Sequence, residues 1–150
     1  MLSRASKYAI LSTLYLAQES NEENKINVKE IAENLGVPSP FLAKLFQQLV
    51  REKVISSTKG PKGGFYLSKR NSKKRILDVI AAIDGLDRLE ECFLGLNECD
   101  SNRPCPVHFV VTPFRDQILG KFRDKTIVEF AAEIKAQGRV LSLKEFESAD

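Results

Sequence analysis

INVKEIAENLGVPSPFLAKLFQQLVREKVISSTKGPKGGFYLSK, residues 26–69, decides the fold. Asn27 can cap a helix, and Glu30 three residues on suits a reciprocal capping box. Val28, Ile31, Ala32 and Leu35 then form an apolar face. Gly36 stops the helix, because glycine takes the left-handed conformation beyond a helix end cheaply. A second helix restarts at once, with Ser39 as N-cap and Pro40 at the first helical position. Leu42, Leu45, Phe46, Leu49 and Val50 make its stripe; Ala43, Lys44, Gln47, Gln48 and Arg51 lie off it. Two short helices joined by GVPS form a helix-turn-helix pattern. VISST and FYLSK, either side of the glycine- and lysine-dense KGPKGG, read as a β-hairpin. A hairpin directly after the second helix makes a winged helix. The expected class is mainly α with one small β-hairpin: a winged helix-turn-helix domain plus a long C-terminal dimerisation helix.

Working outward, residues 3–19 read as an amphipathic helix, with Tyr8, Leu11, Leu14, Tyr15 and Ala17 inward. Its opening, MLSRASKYAILSTLYLAQES, has an apolar stretch broken by polar residues and no small-residue cleavage site, so it belongs to the mature fold. ESNEENK is a loop. SKKRILDVIAAIDG carries another short helix, with Ile76, Val79, Ile80 and Ile83 inward. FVVTPFRDQILGKFRD repeats Val110, Phe114, Ile118 and Phe122 every four residues, a long helix with one apolar stripe. Pro113 fits its first turn if the helix begins near Val111. Thr126 with Glu129 starts a last helix, TIVEFAAEIKAQ. The expected organisation is a DNA-binding domain over 1–85, a cysteine-rich loop over 86–108, the dimerisation helix and a C-terminal helix over 109–140, and a tail over 141–150. The stripe of the long helix needs a surface to cover it, and a second copy of the chain is the simplest.

Charge sharpens the functional class. Residues 1–75 carry fourteen Lys/Arg against six Asp/Glu, and residues 76–150 nine against fourteen. A basic half beside an acidic one invites a polyanion at the basic end, and with a winged helix there the polyanion is double-stranded DNA. No apolar run is long enough to cross a bilayer, so neither a membrane nor a small-molecule substrate is expected. No phosphate-binding glycine motif of the P-loop type appears. The lone histidine lies among the cysteines, so the expectation is a regulator and not an enzyme.

CFLGLNECDSNRPCPVH, residues 92–108, holds all three cysteines and the only histidine of the chain. None of the four falls on a helical or strand repeat, so packing does not explain their grouping. A cytoplasmic, reducing setting and an odd cysteine count argue against a disulfide framework. The spacing C-x6-C-x5-C-x2-H is wider than the close pairs of structural zinc sites. Wide gaps suit a loop wrapped around an iron–sulfur cluster, where histidine can replace cysteine. The candidate ligands are Cys92, Cys99, Cys105 and His108. Structural zinc, or redox-active thiols without metal, are the alternatives.

SKYAILSTLYLA, VKEIAENLGVPSPFLAKLFQQL, VISSTKGPKGGFYLS, RILDVIAAIDG and the cysteine loop together resemble the IscR/NsrR (Rrf-type) family of bacterial winged-helix transcriptional regulators, across nearly the whole chain. The resemblance implies a homodimer with crossed C-terminal helices, and in many members an iron–sulfur cluster that reports cluster supply, redox stress or nitric oxide. It implies Cys92, Cys99 and Cys105 as cluster ligands and His108 as the fourth in a 2Fe–2S branch. The 4Fe–4S branch uses a carboxylate near the start of the first helix. Lys7 stands there in this chain, so 2Fe–2S is preferred over 4Fe–4S. The first gap is one residue longer than in the best-known 2Fe–2S members, and Ala43 replaces an acidic residue of some relatives. The expected partner is a palindromic operator, read by the second helix and the wing. Phe41, Lys44 and Gln47, following Ser39 and Pro40, lie near base edges; Lys59 and Lys62, with Gly60, Pro61, Gly63 and Gly64, form the wing tip; Ser3, Lys7 and Arg51 hold phosphates.

Overall fold

Asn27 caps its helix as the spacing predicts: its Oδ1 accepts the Glu30 N–H at 2.9 Å. In the computed structural model, which describes residues 2–144, the elements run α1 (Arg4–Glu19), α2 (Val28–Leu35), α3 (Ser39–Arg51), β1 (Ser56–Thr58), β2 (Gly64–Tyr66), α4 (Lys69–Ser72), α5 (Ile76–Ile83), a 3-10 turn (Asp87–Glu90), α6 (His108–Asp124) and α7 (Ile127–Ala136). This is the expected mainly helical fold with one two-stranded antiparallel hairpin. Gly36 ends α2 at φ 75°, in the left-handed region. The N-cap of α3 is Pro38, one residue earlier than expected, and Ser39 opens the first turn with no side-chain cap. Proline is well suited to hold the extended φ of −60° found there.

The hairpin is shorter than the sequence suggests. Val54 and Ile55 are buried in the core before β1 begins, because the chain turns at Lys53, which has a φ of 61°. Ser56 pairs with Tyr66, Ser57 with Phe65 and Thr58 with Gly64. Ile26 adds a one-residue bridge on the other side, exchanging both backbone hydrogen bonds with Phe65 at 2.9 and 2.8 Å. Phe65 meets Phe46 of α3 edge-on, ring centroids 4.8 Å apart. The wing is thus tied both to Ile26, just before α2, and to the core face of α3.

The inward face of α1 differs from the expectation. Ser6, Ala9, Ser12, Thr13, Leu14 and Leu16 are buried, while Tyr8, Leu11, Tyr15 and Ala17 are half-buried. Helices α2, α3, α5 and α7 and strand β2 surround α1. Small residues let these neighbours approach. The Ser12 and Thr13 hydroxyls donate to the carbonyls of Tyr8 and Ala9 at 2.6 and 2.7 Å, which satisfies them without solvent.

The C-terminal segments return to this domain. Gln18 donates to the Ala131 carbonyl at 3.1 Å, and the Ile127 N–H donates to the Lys74 carbonyl at 2.8 Å. The Leu143 N–H donates to the Leu35 carbonyl at 2.8 Å, so residues 141–144 of the expected tail dock on α2; its remaining residues lie outside the described ones. Helix α6 behaves differently. It starts at His108, so Pro113 lies inside it and not in its first turn. Only His108 and Arg115 are buried along it, and Phe109, Val110 and Phe114 are 69%, 75% and 56% exposed.

Ser3 pins the start of α1 to the end of α5. Its Oγ donates to Asp84 at 2.6 Å and its N–H donates to the same carboxylate at 3.2 Å. Burial alone would raise the Asp84 carboxyl, but the Ser3 hydroxyl and N–H, the nearby Ser6 hydroxyl and the Arg88 charge together outweigh it and hold it below the ordinary carboxylate range. A depressed carboxylate stabilises the fold above its unfolded value, and that contribution disappears as pH falls through its folded value. Asp84→Asn should therefore cost about 1 kcal/mol near neutral pH, the ordinary worth of a partly solvated hydrogen bond. Thermal melts should show the gap between variant and wild type closing as the pH falls below the carboxylate range. A gap that persists in acid would mean the contact is not electrostatic.

Candidate nucleic-acid interface and cysteine loop

The outward side of α3 is one polar stripe. Pro40, Lys44, Gln47 and Arg51 follow each other at helical spacing and are all exposed, opposite buried Leu42, Leu45, Phe46 and Leu49. Ser39 is half-buried at the head of the stripe. Phe41 is 38% exposed, and its ring meets Tyr8 of α1 edge-on at 5.7 Å. Phe41 is thus held in place by α1 while part of it stays on the surface. Lys7 is exposed on α1, one residue from Tyr8. Ser3 is committed elsewhere: it caps α1 by accepting the Ser6 N–H and gives its own donors to Asp84.

At the wing tip Lys59, Gly60, Pro61 and Lys62 are exposed. The Gly63 N–H closes the turn on the Gly60 carbonyl at 2.9 Å, with Pro61 at the corner where its fixed φ is favourable. The sequence places all three wing glycines alike in the wing tip, and the structure separates them. A Cβ on Gly63 would lie 2.3 Å from the Thr58 carbonyl oxygen, and one on Gly64, at φ 151°, would lie 2.9 Å from the Ile26 backbone. These two glycines close the hairpin. Gly60, at φ 102°, has nothing within 4 Å and remains open to a partner. A cation missed by the sequence reading also sits here: Lys25 Nζ lies over the Tyr66 ring, 5.3 Å from its centroid. Its loop position carries no periodic signal that could have placed it on the wing.

The cysteine loop hangs between the 3-10 turn and α6. Cys92 is buried, and Cys99 and Cys105 are half-buried thiols. The N–H groups of Leu94 and Leu96, the Cys105 thiol and the Gly95 N–H all act on the Cys92 sulfur and hold that thiol below the ordinary cysteine range. Cys99 Sγ lies 3.4 Å from His108 Nδ1, and Ser101 Oγ lies 3.2 Å from His108 Nε2. Asp100 secures the turn beside Cys99, accepting the Asn102 N–H at 2.8 Å and pairing with Arg103 at 3.0 Å. The four candidate ligands therefore stand as two pairs, Cys92 with Cys105 and Cys99 with His108. Among the described residues no three acidic, cysteine or histidine side chains converge on one metal position. The donor chemistry nevertheless fits a thiolate-bound centre. Amide N–H groups directed at a sulfur favour its anionic form, and soft thiolate and imidazole donors are what iron–sulfur clusters take.

Sequence reasoning also missed Arg115. It is buried on α6, and its Nη2 donates to the Glu91 carbonyl at 2.8 Å while its Nη1 approaches Cys99 Sγ at 3.7 Å. An arginine off the apolar stripe reads as a solvated residue unless the path of the loop is known.

Comparison with known proteins places this geometry. The Rrf2 family model, described as an iron-dependent transcriptional regulator, matches residues 2–133. A protein of Aquifex aeolicus (strain VF5) named as an HTH-type transcriptional regulator is 35% identical over 129 residues, covering 85% of this chain and 88% of that protein. The HTH-type transcriptional regulator IscR of Escherichia coli is 28% identical over 128 residues, covering 85% and 78%. Among solved structures, CymR, the global cysteine regulator of B. subtilis, superposes with a TM-score of 0.70 at 18% identity, covering 89% of this chain and 97% of that one. T. potens IscR superposes at 0.65 with 20% identity, covering 91% and 90%. These relatives are named as transcriptional regulators, in agreement with a chain that is not an enzyme, and the structural likenesses establish the fold.

Gly63→Ala should disrupt the hairpin, since its new methyl would collide with fixed backbone. Gly60→Ala, facing open space, should cost only the roughly 1–2 kcal/mol of a left-handed alanine. Thermal melts of the two variants, with hydrogen exchange over 54–67, would show the larger loss at Gly63. Equal losses would refute the division of labour among the wing glycines.

Proposed function

The chain belongs to the Rrf2 family of transcriptional regulators, and we propose that it works as a homodimer on a palindromic operator, its affinity set by an iron–sulfur cluster bound in the 92–108 loop. One observation carries the second half of this reading: every cysteine and the only histidine lie on one loop, with Cys99 Sγ 3.4 Å from His108 Nδ1. Cys92, Cys99, Cys105 and His108 would hold the cluster, 2Fe–2S in preference to 4Fe–4S. When bound, it would supply a one-electron redox couple open to attack by oxidants and nitric oxide. Closing the two donor pairs into one shell would require the loop between Gly95 and Pro104 to move, and that loop is exposed.

The dimer would bury Phe109, Val110 and Phe114 of α6 against the second copy and set two α3 helices in successive major grooves. Phe41, Lys44 and Gln47 would then face base edges, behind Ser39 and Pro40. Arg51 and Lys7 would hold phosphates. Lys59, Gly60, Pro61 and Lys62 would track the minor groove, on the frame that Gly63 and Gly64 close. Ser3 leaves the phosphate set, because Asp84 takes its donors and a carboxylate beside it repels phosphate.

A second reading, a thiol redox sensor without metal, is favoured by the pairing of the thiols and by the lowered Cys92 thiol, since thiolates are the species that oxidants attack. Iron, acid-labile sulfide and zinc per chain, with a visible spectrum on protein purified without oxygen, separate the readings. Iron and sulfide in equal amounts with a brown colour are expected. Zinc without colour, or no metal after reconstitution has been tried, would sink the cluster reading.

Two variants test the DNA-binding half. Lys59→Ala should weaken binding to all sequences alike and reduce the slope of log affinity against log salt by about 1. An unchanged slope would remove the wing from the interface. Phe114→Asp should leave a folded monomer by sedimentation and abolish tight operator binding. A variant that remains dimeric would place the interface elsewhere.

A further inference from the structure

Arg115 is the only fully ionised side chain buried along α6, at 7% exposure. Burying a guanidinium is costly unless an anion accompanies it. Among the described residues no carboxylate does so: the ion pairs are Arg103 with Glu98 and Asp100, and Lys125 with Glu133. Nη2 has the Glu91 carbonyl and Nη1 has the Cys99 sulfur, while Nε is buried with no partner. The side chain lines a cleft of about 210 Å3 together with Arg88, Cys92, Gly95 and Val111. It therefore reaches both donor pairs at once: the backbone beside Cys92, and Cys99, which is partnered with His108.

A neutral thiol is a weak acceptor and gives no counter-charge. Anionic sulfur supplies both an acceptor and a charge, and charge-assisted hydrogen bonds are the stronger kind. We propose that Arg115 is a positioning residue of the cysteine-loop centre, bonding to the backbone beside Cys92 and to Cys99 from one side of α6 and presenting its charge and free Nε–H to anionic sulfur at the cleft that Cys92 lines. This rests on the reading of the loop as a cluster site and assigns that site a cation from the dimerisation helix. Hydrogen bonds and charge near the sulfurs set the reduction potential of such centres. A cation favours the more negative, reduced form, so losing it should make reduction harder.

The full chain, Arg115→Lys and Arg115→Gln would each be reconstituted anaerobically with ferrous iron and sulfide. Iron and sulfide per chain would be measured, and the midpoint potential followed in the visible spectrum while titrating with dithionite. Thermal melts would show that all three are folded. Arg115→Gln should bind less iron, or shift the one-electron reduction equilibrium against reduction by roughly tenfold, about 59 mV; Arg115→Lys, which keeps the charge, should stay near wild type. Iron content and potential equal to wild type in Arg115→Gln would overturn the assignment. So would folded variants that both fail to load, since charge would then not be what the site uses. A wild-type chain that takes up no cluster would overturn the cluster reading itself, and Arg115's role with it, before the variants are compared.

Discussion

The burial of α1 is the constraint on which the other surfaces depend. It touches α2, α3, α5, α7 and β2, so the helix-turn-helix, the wing and α7 are all positioned by one 16-residue rod. Such a central helix cannot be amphipathic in the ordinary one-sided sense. It needs small residues where neighbours come close, and a hydroxyl there is best satisfied within the helix. Ser12 and Thr13 do so by bonding back to the preceding turn. The half-buried aromatics then do a second job. Tyr8 faces outward far enough to brace Phe41 at the head of α3, and the Tyr15 hydroxyl accepts from Asn34 of α2 at 2.8 Å. The helix-turn-helix is therefore fixed from behind at both of its helices.

This explains which parts of the molecule were legible in the sequence. The two helices of the central motif, their turn and the wing depend on local chemistry: Asn27 as a cap, Gly36 at positive φ, and the glycine-rich turn. Each signal lies within a few residues of what it specifies. The inward face of α1 was legible only in part: Leu14 is buried and Tyr8, Leu11, Tyr15 and Ala17 pack against the core, but periodicity assumes that burial follows hydrophobicity, and here Ser6, Ser12 and Thr13 are more buried than Tyr8 or Leu11. The one-residue shift of the α3 cap and the early start of α6 are errors of boundary, where competing caps differ little in energy. Pro113 lies inside α6, so a single proline does not mark the start of this helix. The docking of α7 on α1 was not readable, since its stripe offered no sign of which surface it would cover.

In the candidate site, sequence reading singles out the candidate donors and misses the residues packed around them. Cysteine and histidine announce themselves by scarcity. Arg115, Ser101 and the amides of Leu94, Leu96 and Gly95 do not, because their roles arise only when the loop closes on α6. The wing shows the converse case. Three glycines of the one turn, Gly60, Gly63 and Gly64, look alike in the sequence, and geometry assigns two of them to hairpin closure.

The layout also limits how any signal at the loop could act. The cysteine loop touches α6 through His108 and Arg115, and α6 in turn meets α5, which receives the Gln48 side chain of α3 on its Ala82 carbonyl at 2.7 Å. That is a continuous chain of contacts, but contiguity alone does not transmit energy. A ligand shifts an equilibrium only by its difference in affinity between two arrangements. Here the element able to have two arrangements is the loop, whose donors stand in two separate pairs and whose Phe93, Leu94 and Leu96 are exposed at 62%, 55% and 58%. Binding that gathers the donors would draw those three side chains with it. Whatever free energy reached α3 would be bounded by the change in how the loop bears on α6, and so would be felt first at α6 and only then at the polar stripe of α3.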